Sequence, residues 1–161
     1  MEPITASMEV MAHTAHFSSG MPATVARVLV VEDQPDVRHM MATALAIEGY
    51  RVDEAGNAYE GLDRLRSRHY GLVVSDYAMP GGTGTWMIQE AQRLGLMEHT
   101  VALIVTAHPD VRTLTDVPVI SKPLDLEDFL AQVRDTLPNS APIDASAPAS
   151  SRRSRAKQKR T

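Results

Sequence analysis

Gly71-Leu72-Val73-Val74-Ser75-Asp76 is an apolar run that ends in a carboxylate. Three other runs have the same form. Val28-Leu29-Val30-Val31 ends in Glu32-Asp33, Val101-Ala102-Leu103-Ile104-Val105 ends in Thr106, and Val117-Pro118-Val119-Ile120-Ser121 ends in Lys122-Pro123. None of the runs alternates apolar with polar residues, so each reads as a strand covered on both faces, the mark of a parallel sheet between helical layers. Parallel strands release their C-terminal residues at one edge. Two acids, a third acid, a hydroxyl and an ammonium would then meet there.

The segments between the runs read as helices. Pro35 suits a first helical turn, where its missing N–H costs nothing. Val37, Met40, Met41, Ala44 and Leu45 follow at helical spacing, and Gly49 stops the helix. Tyr50 to Ala55 reads as a short strand. Asn57 with Glu60 forms a capping box for a helix carrying Leu62 and Leu65. Pro80-Gly81-Gly82-Thr83-Gly84 reads as a loop, and Met87, Ile88, Ala91 and Leu94 mark the next helix. Asp125 caps a last helix with Leu126, Phe129, Leu130, Val133 and Leu137 on one face. Five βα units make a doubly wound α/β sheet with helices on both faces. Ligands of such sheets sit at the carboxyl ends of the strands, near the reversal of strand order.

The chain has 161 residues, and residues 27–137 carry this pattern. Residues 1–26 read as a disordered leader rich in Ala, Ser, Thr, Met and His. Residues 138–161 read as a flexible Ala/Pro/Ser linker and a basic tail. The tail holds Arg152, Arg153, Arg155, Lys157, Lys159 and Arg160 with no acid, while the whole chain has a net charge of −4. The body is therefore strongly acidic, and nucleic acid is a partner for the tail only. The absence of cysteine excludes disulfides and thiol chemistry. No apolar run approaches the roughly 20 residues of a membrane span. A cytoplasmic protein without a membrane partner is the expectation.

The strand-end residues suit one chemistry. Hard oxygen ligands favour Mg²⁺, which keeps several waters and takes one or two protein carboxylates. Asp33 and Asp76 are the expected direct ligands, with Glu32 acting through water. Lys122 and the cation offset the repulsion among three acids, so Asp76 stays ionised and able to attack phosphorus. Lys122 and Thr106 would each meet a phosphoryl oxygen. His108, two residues past Thr106, would lie close to that group. His13 and His16 form an HxxH pair in the leader.

Taken in order, Val28 to Asp33, Val74-Ser75-Asp76-Tyr77-Ala78-Met79-Pro80, Thr106-Ala107 and Lys122-Pro123 resemble the receiver domain of two-component response regulators, the CheY-like family. The resemblance implies a flavodoxin-like sheet of strand order 2-1-3-4-5. It implies Asp76 as phospho-acceptor, Glu32 and Asp33 as the acidic metal pair, Thr106 as switch hydroxyl and Lys122 as phosphoryl contact. It further implies the Ala78 backbone carbonyl as a metal ligand and a cis bond before Pro123. The implied partners are a sensor histidine kinase or phosphotransfer protein and a downstream protein. The chain would then act as a stand-alone receiver, signalling by protein contact or by shuttling phosphate. It would not be an enzyme beyond its own phosphorylation and dephosphorylation.

Two departures from the family stand out. Lys122 follows Thr106 by only 16 positions, so the fourth helix is expected to be short or absent. Val119 occupies a position that is usually aromatic. A phosphohydrolase of the haloacid dehalogenase type would use the same residue kinds. It needs a second acid two residues past the nucleophile, and that position is Ala78.

Overall fold

The computed structural model describes residues 25–113 and 115–137. The leader with its His13–His16 pair, the linker and the basic tail with its nucleic-acid reading lie outside the described residues, apart from Val25 and Ala26. Ala26, counted with the leader, already belongs to the fold: its carbonyl accepts the Arg51 N–H at 3.1 Å.

Five parallel strands form one sheet: β1 (Arg27–Val31), β2 (Arg51–Ala55), β3 (Leu72–Asp76), β6 (Val101–Thr106) and β7 (Val119–Ser121). Their order is β2-β1-β3-β6-β7. The intervening numbers belong to a two-stranded hairpin, β4 (Ala78–Met79) and β5 (Gly82–Thr83). With that hairpin set aside, the order is the expected 2-1-3-4-5. The helices are α1 (Pro35–Ile47), α2 (Ala58–Ser67), α3 (Gly84–Arg93) and α4 (Leu126–Thr136). Between β6 and β7, where a fourth crossover helix would run, the described residues form one 3-10 turn, Pro109–Thr113.

Successive residues of a strand face opposite sides, and here both sides are apolar. Val28 and Val30 of β1 join Val74, Leu103 and Val105 in a core with Met41 and Leu45 of α1 and Phe129 and Val133 of α4. Leu29 and Val31 join Val73 and Ile104 in a second core with Leu62 and Leu65 of α2 and Met87, Ile88 and Ala91 of α3. Each fully buried side chain of this size stabilises the fold by about 1.5–3 kcal/mol before conformational entropy is counted. The central strands β1, β3 and β6 thus sit rigidly between two layers, and their last residues are held in place.

Helix ends follow local chemistry. The Glu60 N–H donates to Asn57 Oδ1 at 2.9 Å, and the Asp128 N–H donates to Asp125 Oδ1 at 3.0 Å. The Glu60 carboxylate reaches back to the N–H of Gly56 rather than that of the cap residue, at 2.8 Å, so the box is one residue wider than expected.

Three expectations need correction. Met40 points outward at 39% exposure, because Met41, Ala44 and Leu45 already fill the core-facing stripe of α1. The segment 80–84 is not a plain loop. Pro80-Gly81 turns β4 into β5, with Gly81 at φ 84°, as a Pro-Gly turn of type II requires. Gly84 already begins α3. The last strand starts at Val119 rather than Val117, after Pro118, which lacks an N–H; the Pro118 carbonyl still accepts from the Ile104 N–H at 2.9 Å.

Candidate functional site: an acidic cluster with a shared lysine

The sheet places Glu32 just past β1, Asp76 as the last residue of β3, Thr106 as the last of β6 and Lys122 just past β7. Because β1, β3 and β6 are adjacent and parallel, these ends converge. One carboxylate oxygen each from Glu32, Asp33 and Asp76 lies within 4.8 Å of the others. Lys122 arrives from the sheet's edge strand. Its Nζ stands 3.0 Å from Glu32 Oε2 and 3.2 Å from Asp76 Oδ1. The Lys122 N–H also donates to the Thr106 carbonyl at 2.7 Å, which ties the lysine to β6.

The three acids are not equivalent. Glu32 is fully buried, and both its oxygens are engaged: Oε1 accepts the Gln34 N–H at 3.2 Å and Oε2 accepts from Lys122. Asp76 is buried to 6% exposure, with one oxygen on Lys122. Asp33 is half-buried and has no hydrogen-bond or ion-pair partner for its carboxylate among the described residues. Burial pushes both the Glu32 and the Asp76 carboxyls above their ordinary range, and Lys122 pulls both back. Burial alone would lower the Lys122 ammonium, but Glu32 and Asp76 outweigh it and hold the group above its usual value. The lysine therefore stays charged between two acids whose charges it offsets only in part.

This donor set fits Mg²⁺. All donors are hard carboxylate oxygens, one cation does not neutralise three acids, and the Asp33 carboxylate has no protein donor among the described residues while Asp76 lies beside it at the strand end. Two protein carboxylates match the ion's habit. Glu32, with its oxygens occupied, fits a water-mediated place.

The remaining expected residues fall around this centre. Thr106 is buried, and its Oγ1 accepts the His108 N–H at 3.0 Å. Ala107 and His108 are exposed, and the His108 ring meets Tyr77 edge-on with ring centroids 6.2 Å apart. Ala78 is exposed in β4, paired with Thr83 across the hairpin. The Lys122–Pro123 bond is cis. Val119 is half-buried against the α2–α3 core, opposite Ile104.

Two contributors escaped the sequence reading. Gly84 lets the start of α3 close on the acceptor strand. A Cβ there would lie 2.6 Å from Ser75 Oγ and would overlap the Asp76 carbonyl oxygen, itself bonded to Ser75 Oγ at 2.9 Å. Arg38 of α1 reaches back to the head of β1, where its Nη1 donates to the Glu32 carbonyl at 2.7 Å. A glycine at a loop's end and an arginine one turn inside a helix are ordinary in sequence. Only the three-dimensional contact gives them meaning.

Comparison with known proteins agrees with this geometry. Residues 28–134 match the family model described as the response regulator receiver domain. The response regulator receiver protein CpdR of Brucella abortus is 30% identical over 115 residues, covering 69% of this chain and 96% of CpdR. An uncharacterized transcriptional regulatory protein of Bacillus subtilis, YkoG, is 30% identical over 116 residues, covering 68% of this chain. The chain spans about half of that relative's length, 50%. Among solved structures, the response regulator TrrA of Thermotoga maritima, in complex with Mg²⁺-BeF, superimposes with a TM-score of 0.64. It is 28% identical, and the match covers 70% of this chain and 100% of TrrA. A doubly wound sheet of order 2-1-3-4-5, an acidic cluster at its carboxyl edge and a lysine shared within it are thus found together with the family match, and the chain belongs to the response regulator receiver family.

Proposed function

We propose that this chain receives a phosphoryl group on the Asp76 carboxylate from a phosphohistidine of a sensor kinase or phosphotransfer protein. The observation that carries the reading is Lys122 Nζ, held within 3.2 Å of Asp76 Oδ1 and 3.0 Å of Glu32 Oε2 in an otherwise acidic pocket. In the reaction an Asp76 oxygen forms a bond to phosphorus as the P–N bond to the donor's imidazole breaks. The electron pair leaves with the imidazole, and Asp76 becomes an acyl phosphate. Lys122 stands where it can exchange one carboxylate for a phosphoryl oxygen, keeping a positive charge beside the group throughout. Asp33 and Asp76, with the Ala78 carbonyl, would hold Mg²⁺, and Glu32 would act through water. When bound, the ion neutralises charge that develops on the phosphoryl oxygens. Thr106, at the end of the neighbouring strand, can donate its O–H to the new dianion, since its oxygen only accepts from the His108 N–H.

The chain catalyses no turnover on this reading. Its output is a change of surface around residues 106–113, passed on by protein contact or by onward transfer of the phosphoryl group. The shortened connection between β6 and β7 and Val119 in place of an aromatic direct that change through the loop rather than through a rotating ring.

Incubation with acetyl phosphate followed by intact-mass measurement tests this. One phosphoryl group should add in the presence of Mg²⁺ and none after chelation. The adduct should be lost on treatment with hydroxylamine, which cleaves acyl phosphates. Equal labelling with and without chelator, or a hydroxylamine-stable adduct, would contradict the proposal.

A further inference from the structure

The turn that carries Glu32 and Asp33 is gripped from four sides. The Glu32 N–H donates to the Ala55 carbonyl at 3.1 Å. Its carboxylate is held by the Gln34 N–H and by Lys122. Its carbonyl accepts from Arg38 Nη1 at 2.7 Å, the shortest of these contacts. Arg38 lies in the first turns of α1, so it spans from the helix back to the strand that precedes it. Its other side is braced by β2, where Nε donates to Glu54 Oε2 at 3.2 Å. The guanidinium lies over Gly56, where an added Cβ would stand 3.5 Å from Nη1. Three elements, β1, α1 and β2, are thereby joined at one point directly behind the acids. Arg38 touches no carboxylate of the cluster, so it acts on the backbone that presents the acids.

We propose that Arg38, braced by Glu54, is a positioning residue that sets the place of the Glu32–Asp33 turn relative to Asp76 and so governs divalent-cation affinity. The inference rests on the proposed function, because it takes the acidic cluster to be a cation site. Carbonyl-to-guanidinium bonds are charge-assisted and among the stronger kind. The planar fork lets one side chain hold a carbonyl and a carboxylate at once, which an ammonium does less well. Partners that orient metal ligands from behind typically cost 10–100-fold in affinity when removed.

The test is calorimetric titration of Mg²⁺ into metal-free full-length wild type, Arg38→Ala, Arg38→Lys and Glu54→Gln. Val133→Ala, a core residue of α4 that makes no contact with the Glu32–Asp33 turn, serves as a variant that loses stability without touching the turn. Arg38→Ala should weaken Mg²⁺ binding about tenfold or more, the size expected for a lost orienting partner. Arg38→Lys should recover part of the loss, since one donor remains for the carbonyl. Glu54→Gln should fall between wild type and Arg38→Ala, and Val133→Ala should match wild type. Acetyl phosphate labelling at saturating Mg²⁺ should return toward the wild-type rate in Arg38→Ala, with only the Mg²⁺ requirement raised. Unchanged Mg²⁺ affinity in Arg38→Ala would overturn the inference and leave the proposed function standing. An equal loss in Val133→Ala would also overturn it, since stability alone would then explain the effect. A wild-type chain that binds no Mg²⁺ would overturn the proposed function and this inference with it.

Discussion

Gly84→Ala places a methyl group where the start of α3 meets the acceptor strand. Its carbon would lie 2.6 Å from Ser75 Oγ and nearer still to the Asp76 carbonyl oxygen. Ordinary contact begins at about 3.5 Å, so something must move by about 1 Å or more. A Cβ cannot rotate away, and the Asp76 oxygen is backbone. The helix resists because Met87, Ile88 and Ala91 anchor it in the core. The strand resists because the Tyr77 N–H is bound to the Val105 carbonyl at 3.0 Å. Overpacking of this kind costs about 1–3 kcal/mol. Loss of the Ser75–Asp76 hydrogen bond adds about 1 kcal/mol. The better helix propensity of Ala returns at most about 1 kcal/mol. A net loss of about 2 kcal/mol is expected, read as a lower urea midpoint at unchanged slope. Acetyl phosphate labelling should slow as well, because the displaced atom belongs to the acceptor residue. Gly56→Ala is the control: its methyl would meet only the Arg38 and Glu60 side chains, at 3.5 and 3.6 Å. It should stay within about 0.5 kcal/mol of wild type. A Gly84→Ala protein as stable as that control, labelled at the wild-type rate, would refute the reasoning.

Three further outcomes follow from the same contacts. Lys122→Ala strands the buried Glu32 and Asp76 carboxylates and should cost about 3 kcal/mol in metal-free buffer near neutrality; urea titrations should show the loss shrinking as pH falls and these carboxyls take up protons. Asp33→Ala should weaken Mg²⁺ binding more than Glu32→Ala in calorimetry, since the Glu32 oxygens are already occupied; the reverse ranking would exchange their roles. Tyr70 is buried with its hydroxyl on Asp53 at 2.8 Å, and burial with that carboxylate pushes it up to about 12. A raised acid keeps its proton longer in the folded state, so this contribution is complete below the unfolded value of about 10 and lost as pH rises toward 12. The change is about 3 kcal/mol, and Tyr70→Phe should flatten that alkaline slope in urea midpoints measured from pH 9 to 12.

The layered sheet was legible because its signal is periodic and long. Unbroken apolar runs at Val28, Leu72 and Val101, too short for a helix and rich in β-branched residues, read as covered strands, and strand ends in a parallel sheet share an edge. That geometry makes Asp76, Glu32, Asp33 and Lys122 neighbours from the sequence pattern alone, and the structure places them together. Caps such as Asn57 and Asp125 were legible for the same local reason. What escaped was the part set by contact between distant segments. The hairpin at 78–83 is two residues deep on each side, too short for alternation to show. Met40 fits the helical stripe as well as Met41 does, and only the width of the filled core decides between them. Gly84, Arg38 and Glu54 carry no pattern of their own. Their roles arise from a backbone oxygen close by, or from a carbonyl six residues back and a carboxylate on the neighbouring strand.

The central claim is that the acceptor is the Asp76 carboxylate. Wild-type protein treated with acetyl phosphate and Mg²⁺ can be reduced with borohydride, which converts an aspartyl phosphate to homoserine, and then mapped by peptide mass spectrometry. The account predicts homoserine at position 76 and unmodified aspartate at position 33. Homoserine at position 33, or phosphorylated protein with intact aspartate at position 76, would contradict it.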